Sequence, residues 1–260
     1  MSDTILYEKQ NGIARITLNR PTVYNSFNKE MALALQAAFK DAEEDHSIKV
    51  VILTGSGKAF SAGQDLNEIT DPNIDFGLDE IVVKHFNPIV LAIYNLSKPV
   101  IGAVNGVAAG AGANIALLCD ITIATESASF IQAFSKINLI PDSAGTYVLQ
   151  RLIGFQKAIA LALLGEKVSA KDAEQMGMIY KAVPDDTFKE VVDKVANKLS
   201  ALPRQGVMYT KKLYNLGLHN DLESQLKLEA EYQTLAGNTL DYQEAIAAFI
   251  EKRKPNFVGK

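Results

Sequence analysis

The chain has 260 residues, 48% hydrophobic and 22% charged, with a net charge of -4. That is enough for one large domain, or a domain with a smaller appendage, around a sizeable core. The slightly acidic balance, with no long basic run, argues against nucleic acid or an anionic membrane as the main partner. The single cysteine, Cys119, lies in the apolar run ANIALLCDITIA and reads as a buried, inert thiol. No cysteine or histidine spacing suggests a metal, no signal pattern opens the chain, and charge or Gly interrupts every apolar stretch before it could span a bilayer. The expectation is a soluble, cytoplasmic protein.

ILYEKQ and IARITL flank Asn11-Gly12, a hairpin signal because both turn residues tolerate positive φ. NRPTVYNSFN is a loop, with Asn28 placed to cap a helix carrying Met31, Leu35, Ala38, Phe39 and Ala42 on one face. VVILTG at 50–55 reads as a strand buried on both faces. A Gly/Ser/Ala loop and a helix through about 78–96 follow. PVIGAVNG repeats the strand-then-Gly pattern, GAGANIALLCD reads as a helix and ITIAT as a strand. This alternation predicts an α/β fold. After about residue 185 only helices are expected. Val192, Val195, Ala196 and Leu199 share a face, Asp221 is placed to cap one helix, and Asp241 with Glu244 forms a capping-box pattern for the last.

Two small-residue loops follow buried strands: AFSAGQDL at 59–66 and NGVAAGAG at 105–112. Such loops let a ligand approach the backbone, and a helix starting there points free N–H groups at it. Neither has the P-loop ending or the full dinucleotide pattern. One N–H from each could instead hold an oxygen that becomes negative during reaction. Asp142, in NLIPDSAGT, is the one acid between Glu126 and Glu166. Its own neighbours favour an N-cap, since it follows Pro141 and precedes the helical-looking SAGTYVLQRL. The alternative is a working acid or base.

In order, IARITLNRP, NSFN, AFSAGQDL, PVIGAVNGVAAGAG, CDITIAT and NLIPDSAGT resemble the crotonase (enoyl-CoA hydratase/isomerase) superfamily. The resemblance implies a crotonase-type spiral of β-β-α repeats over 1–190 that binds acyl-CoA, and a helical trimerisation region over 191–260. It implies an acyl-CoA substrate, with coenzyme A part of that substrate and no separate cofactor or metal. It also implies a homotrimer or dimer of trimers, and a possible complex with an enoyl-CoA hydratase. By the same resemblance the backbone N–H groups of Gln64 and Ala111 hold the thioester oxygen. Val23, Ala62, Asp65 and Leu66 run along coenzyme A.

Hydratases of this superfamily use two glutamates. Aligned without gaps, their positions hold Asn114 and Phe134 here, both counted among the substrate-contacting residues, and neither can activate water. Asp142 stands where several isomerases of the superfamily carry their acid. The resemblance therefore implies a 1,3-proton shift through a thioester dienolate. NSFN, AGQDLN, AFSKINLIPD, LALLGE, EYQTLAG and AAFIEKRKPNFVGK narrow it to the branch that converts ring 1,2-epoxyphenylacetyl-CoA to its oxepin form in phenylacetate catabolism. A Δ3,Δ2-enoyl-CoA isomerase, a dehalogenase and a partner subunit of a hydratase are the alternatives. Phe134, Phe86 and Tyr147 are candidates for an aromatic acyl pocket or for ordinary core. His46, His85 and His219 read as surface histidines, and Lys252, Arg253 and Lys254 as a solvated run or a phosphate contact.

Overall fold

The structure is a computed structural model that describes residues 3–70, 72–73 and 76–259. The chain enters through the expected hairpin. β1 (Ile5–Gln10) and β2 (Ile13–Leu18) pair antiparallel around Asn11 and Gly12, whose φ values are 52° and 78°. Asn28 accepts the Met31 N–H at 3.0 Å and so caps α1 (Lys29–Glu44), whose predicted apolar face is buried.

Three turns of a spiral follow, each taking a strand of one sheet, a strand of a second sheet, then helix. The first is β3 (Val50–Gly55), β4 (Ala59–Ser61), α2 (Leu66–Thr70), α3 (Leu78–Glu80) and α4 (Asn87–Asn95). The second is β5 (Val100–Val104), β6 (Val107–Ala109) and α5 (Ala111–Leu118). The third is β7 (Ile121–Thr125), β8 (Ser129–Ile131), α6 (Gly145–Ile153) and α7 (Phe155–Leu164). β9 (Lys167–Ser169), α8 (Ala170–Gln175) and β10 (Lys181–Val183) complete the sheets. Their orders are β1-β2-β3-β5-β7-β10 and β4-β6-β8-β9, parallel except at β1/β2 and β8/β9. This is the spiral of β-β-α turns that the resemblance implied.

The unbroken apolar run of β3 has a physical reason. Val51 and Leu53 join the main core with α1 and α4, while Val50 and Ile52 join a second core on the opposite face. That second core is closed by α9 (Phe188–Ser200), through the predicted face of Val192, Val195, Ala196 and Leu199. A strand with both faces covered cannot alternate.

Three further helices end the chain: α10 (Arg204–Gly217), α11 (Leu222–Gly237) and α12 (Leu240–Glu251). Neither α10 nor α11 buries a residue, and Leu226, Leu235, Phe249 and Ile250 are exposed in the single chain. Asp221 caps α11 as expected, accepting the Ser224 N–H at 2.7 Å. The capping box at α12 does not form. Thr239 is the cap, and Asp241, buried inside the first turn, accepts the backbone N–H groups of Val258 and Gly259. Glu244 binds Arg253 and the Asn256 N–H. Arg253 stays exposed to solvent, as a solvated run implies, but it is paired with the two carboxylates of Glu244 and Glu251.

The helix expected through 78–96 is interrupted by a π turn at Ile81–Phe86. That turn carries His85 inward, where it is buried edge-on against Phe76 at 5.3 Å. Burial lowers its pKa. His85 is therefore not a surface residue, whereas His46 and His219 are exposed.

Candidate active site

The two small-residue loops meet. Gly63, at φ 89°, is so close to the second loop that a Cβ there would lie 3.0 Å from Ala109 O and 3.3 Å from Ala111 N. Gly112 backs onto Ser61 at a distance only a glycine permits, since its Cβ would lie 2.6 Å from Ser61 O. The first loop is braced from behind. Phe27 donates its N–H to Gly63 O at 2.7 Å and accepts the Asp65 N–H at 2.9 Å. The Gln64 N–H between them therefore points away from Phe27. The Ser61 hydroxyl donates to Asn25 O at 2.8 Å and accepts the Gly63 N–H at 3.2 Å. In the second loop Gly110, at φ 54°, turns the chain into α5, and Ala111 begins the helix. Its N–H is one of those that no helix can satisfy internally. Among the described residues neither the Gln64 nor the Ala111 amide meets an acceptor.

Both amide residues line a cavity of about 190 Å³ with Ala62, Leu66, Phe86, Phe134 and Asp142. Its mouth is apolar: Leu66, Ile69, Leu78 and Ile137 are all exposed beside it. Among the described residues that line it, Asp142 is the one carboxylate. Burial raises its pKa, and the hydroxyl of Ser143, which donates to Asp142 Oδ1 at 3.0 Å, offsets part of that rise. A basic carboxylate, two unpartnered amides and an apolar wall are what proton abstraction next to a thioester requires.

Asp142 does not cap α6. Ser143 and Ala144 follow it at φ 49° and 65°, and Gly145 N–H bonds Asp142 O at 2.8 Å. This tight left-handed turn delays the helix to Gly145, and no side chain caps it. The capping explanation for Asp142 therefore fails on geometry.

Other expected site residues stand apart from the cavity. Asn114 is buried and spans from Gln132 to the Asp142 backbone carbonyl. Asp65 is held by Arg20 at 2.9 Å and accepts the Asn67 N–H. Val23 sits in the turn Pro21–Val23, half-buried, outside the lining. Of the aromatic trio, Phe86 and Phe134 line the cavity but Tyr147 does not. Tyr147 faces a larger groove of about 820 Å³ against α10, where its hydroxyl meets His219 Nε2 at 2.6 Å. That groove opens at the C-terminal end of α5. Among the described residues its one lining carboxylate, Asp120, is already paired with Lys211 at 2.8 Å. The cavity at the N-terminal end of α5 is therefore the candidate active site.

Sequence reading missed the supports. Asn25 is fully buried. Its amide donates to Ser56 O and Ala59 O, and its Oδ1 accepts the Arg20 N–H. The motif NSFN held the signal: a buried Asn in a left-handed turn serves backbone groups.

The Enoyl-CoA hydratase/isomerase family matches residues 8–260. The chain is 46% identical to a 1,2-epoxyphenylacetyl-CoA isomerase of Escherichia coli (strain K12), over the whole of both chains. It is 34% identical to a trans-2-decenoyl-[acyl-carrier-protein] isomerase of Streptococcus mutans, over 98% of each. Among solved structures, an enoyl-CoA hydratase from Bacillus anthracis superimposes with a TM-score of 0.93 at 32% identity, covering 99% of this chain and 100% of that one. The chain belongs to the enoyl-CoA hydratase/isomerase family, and it is an enzyme of that family.

Proposed function

We propose that this enzyme isomerises an unsaturated acyl-CoA by moving a proton between two carbons. The observation that carries the reading is Asp142, the single carboxylate among the described residues that line the cavity with the Gln64 and Ala111 amides. Asp142 removes the proton on the acyl Cα, and the electron pair moves into a dienolate whose charge collects on the thioester oxygen. The two amides stabilise that oxygen, each worth about 3 kcal/mol in a site closed to water. Protonated Asp142 then returns the proton to Cγ, so the double bond moves and nothing is gained or lost.

Asn114 and Phe134 stand where hydratases of the superfamily carry carboxylates, so neither position supplies an acid to activate and deliver water. Ring 1,2-epoxyphenylacetyl-CoA is the substrate favoured by the 46% identical relative and by the Phe86 and Phe134 rings beside the cavity. There the shift accompanies opening to the oxepin. A linear 3-enoyl-CoA is the second reading, since the same groups would serve it. Leu66 and the apolar mouth suit the pantetheine arm. The uncovered apolar side chains of α11 and α12 suit a trimer or dimer of trimers. Supplying the ring epoxide and a linear 3-enoyl-CoA side by side tests the assignment. The ring epoxide is expected to give the higher kcat/KM, and preference for the linear chain would replace it.

A further inference from the structure

The hydrogen bonds behind Asp142 form a chain that leads back to one of the two amides. Asn114 lies on α5 one helical turn after Ala111 and is buried. Its Nδ2 donates to Asp142 O at 2.8 Å, and its Oδ1 accepts Gln132 Nε2 at 2.8 Å. The orientation of the Asn114 amide is not free, because a carbonyl can only accept. Gly145 is cut to fit: a Cβ there would lie 2.2 Å from Asn114 Nδ2. The turn so held contains Ser143 and Ala144, both non-glycine residues at positive φ. Such backbone persists only where its surroundings fix it.

We propose that Asn114 is a positioning residue for Asp142, locking the carboxylate's backbone to the same helix that presents the Ala111 amide. The distance from base to oxyanion donor is then set by one helical turn and one hydrogen bond rather than by a loop. This deepens the isomerase reading and rests on it. The position is a strut here, and its side chain is committed at both ends to the frame. Gln132 serves the strut in turn. Among the described residues its Oε1 has no hydrogen-bond partner, so its fixed contact is the one to Asn114.

The test compares full-length wild type, Asn114→Ala and Asp142→Asn on two probes, ring 1,2-epoxyphenylacetyl-CoA and trans-3-hexenoyl-CoA. Asn114→Ala is expected to lower kcat by about tenfold or more while KM stays within about twofold, because misplacement of the base affects the chemical step and not binding. Should that variant fold poorly, Asn114→Ala with Gln132→Leu leaves no amide orphaned, and the same kcat loss is expected. Wild-type kcat in either variant, with Asp142→Asn inactive, overturns the positioning role and leaves the isomerase reading intact. A parallel rise in KM and fall in melting temperature, with kcat retained, also overturns it, since that is the mark of a merely structural residue. Asp142→Asn at the wild-type rate, or wild type inactive on both probes, overturns the proposal together with the isomerase reading.

Discussion

A Cβ on Gly63 would lie 3.3 Å from the backbone nitrogen of Ala111, so the close approach of the two loops depends on Gly63 having no side chain. The φ of Gly63 is 89°, a conformation that side-chain-bearing residues rarely adopt. Gly63→Ala is therefore expected to cost about 1–3 kcal/mol of stability and to push the loops apart. Urea unfolding and turnover check it together: kcat should fall further than the loss of folded protein explains.

The raised pKa of Asp142 has a definite sign in stability. Burial makes the folded chain hold the Asp142 proton more tightly than the unfolded chain does. The resulting stabilisation is fully present below the unfolded value of about 3.9 and is lost as pH rises through the folded value. Asp142→Asn has no charge to desolvate, and its Oδ1 still accepts from Ser143. It is expected to melt at or above the wild-type temperature at neutral pH, with the gap narrowing on acidification.

Catalysis reports the same shift from the other side. Only ionised Asp142 can act as base, so kcat should fall as pH drops, with a limb above the ordinary carboxylate range. A kcat profile between about pH 4 and 8 checks this. A limb at the value of an exposed aspartate would contradict a desolvated base.

Ala144 occupies the second left-handed position of the turn after Asp142, at φ 65°. Glycine there removes the backbone strain but adds chain entropy to the unfolded state. The net expectation for Ala144→Gly is a gain of about 0.5 kcal/mol, read by denaturant titration.

Asp241 grips the C-terminal tail through the N–H groups of Val258 and Gly259, and Gln205 holds Gly259 O at 2.9 Å. Hydrogen bonds to a buried carboxylate are worth about 1.5–3 kcal/mol. Asp241→Ala is expected to lose about that much and to expose the tail to limited proteolysis, with cleavage after Lys252 or Arg253 the readout.

Local chemistry made much of this legible in the sequence. Asn11-Gly12, Asn28 and Asp221 each act on backbone within three residues, and each does what its type predicts. The unbroken run VVILTG announced a strand covered on both faces. Elements that depend on distant chain were misread. Asp241 looks like half of a capping box until the tail returns to claim it. Asp142 looks like a cap because nothing in SAGT announces two left-handed residues without glycine. His85 looks exposed until the π turn rotates it inward. Tyr147 is one helical step from the acid loop, yet it faces the groove at the other end of α5.

On the proposed mechanism Asp142 moves a proton between carbons and delivers no water. Proton NMR of the products formed by wild type and Asp142→Asn from ring 1,2-epoxyphenylacetyl-CoA tests it most directly. Wild type should give the oxepin isomer with no hydroxyacyl-CoA, and the variant should be slower by at least about 100-fold with its fold intact. Hydroxyacyl-CoA accumulating with wild type, or the variant turning over at the wild-type rate, would contradict it.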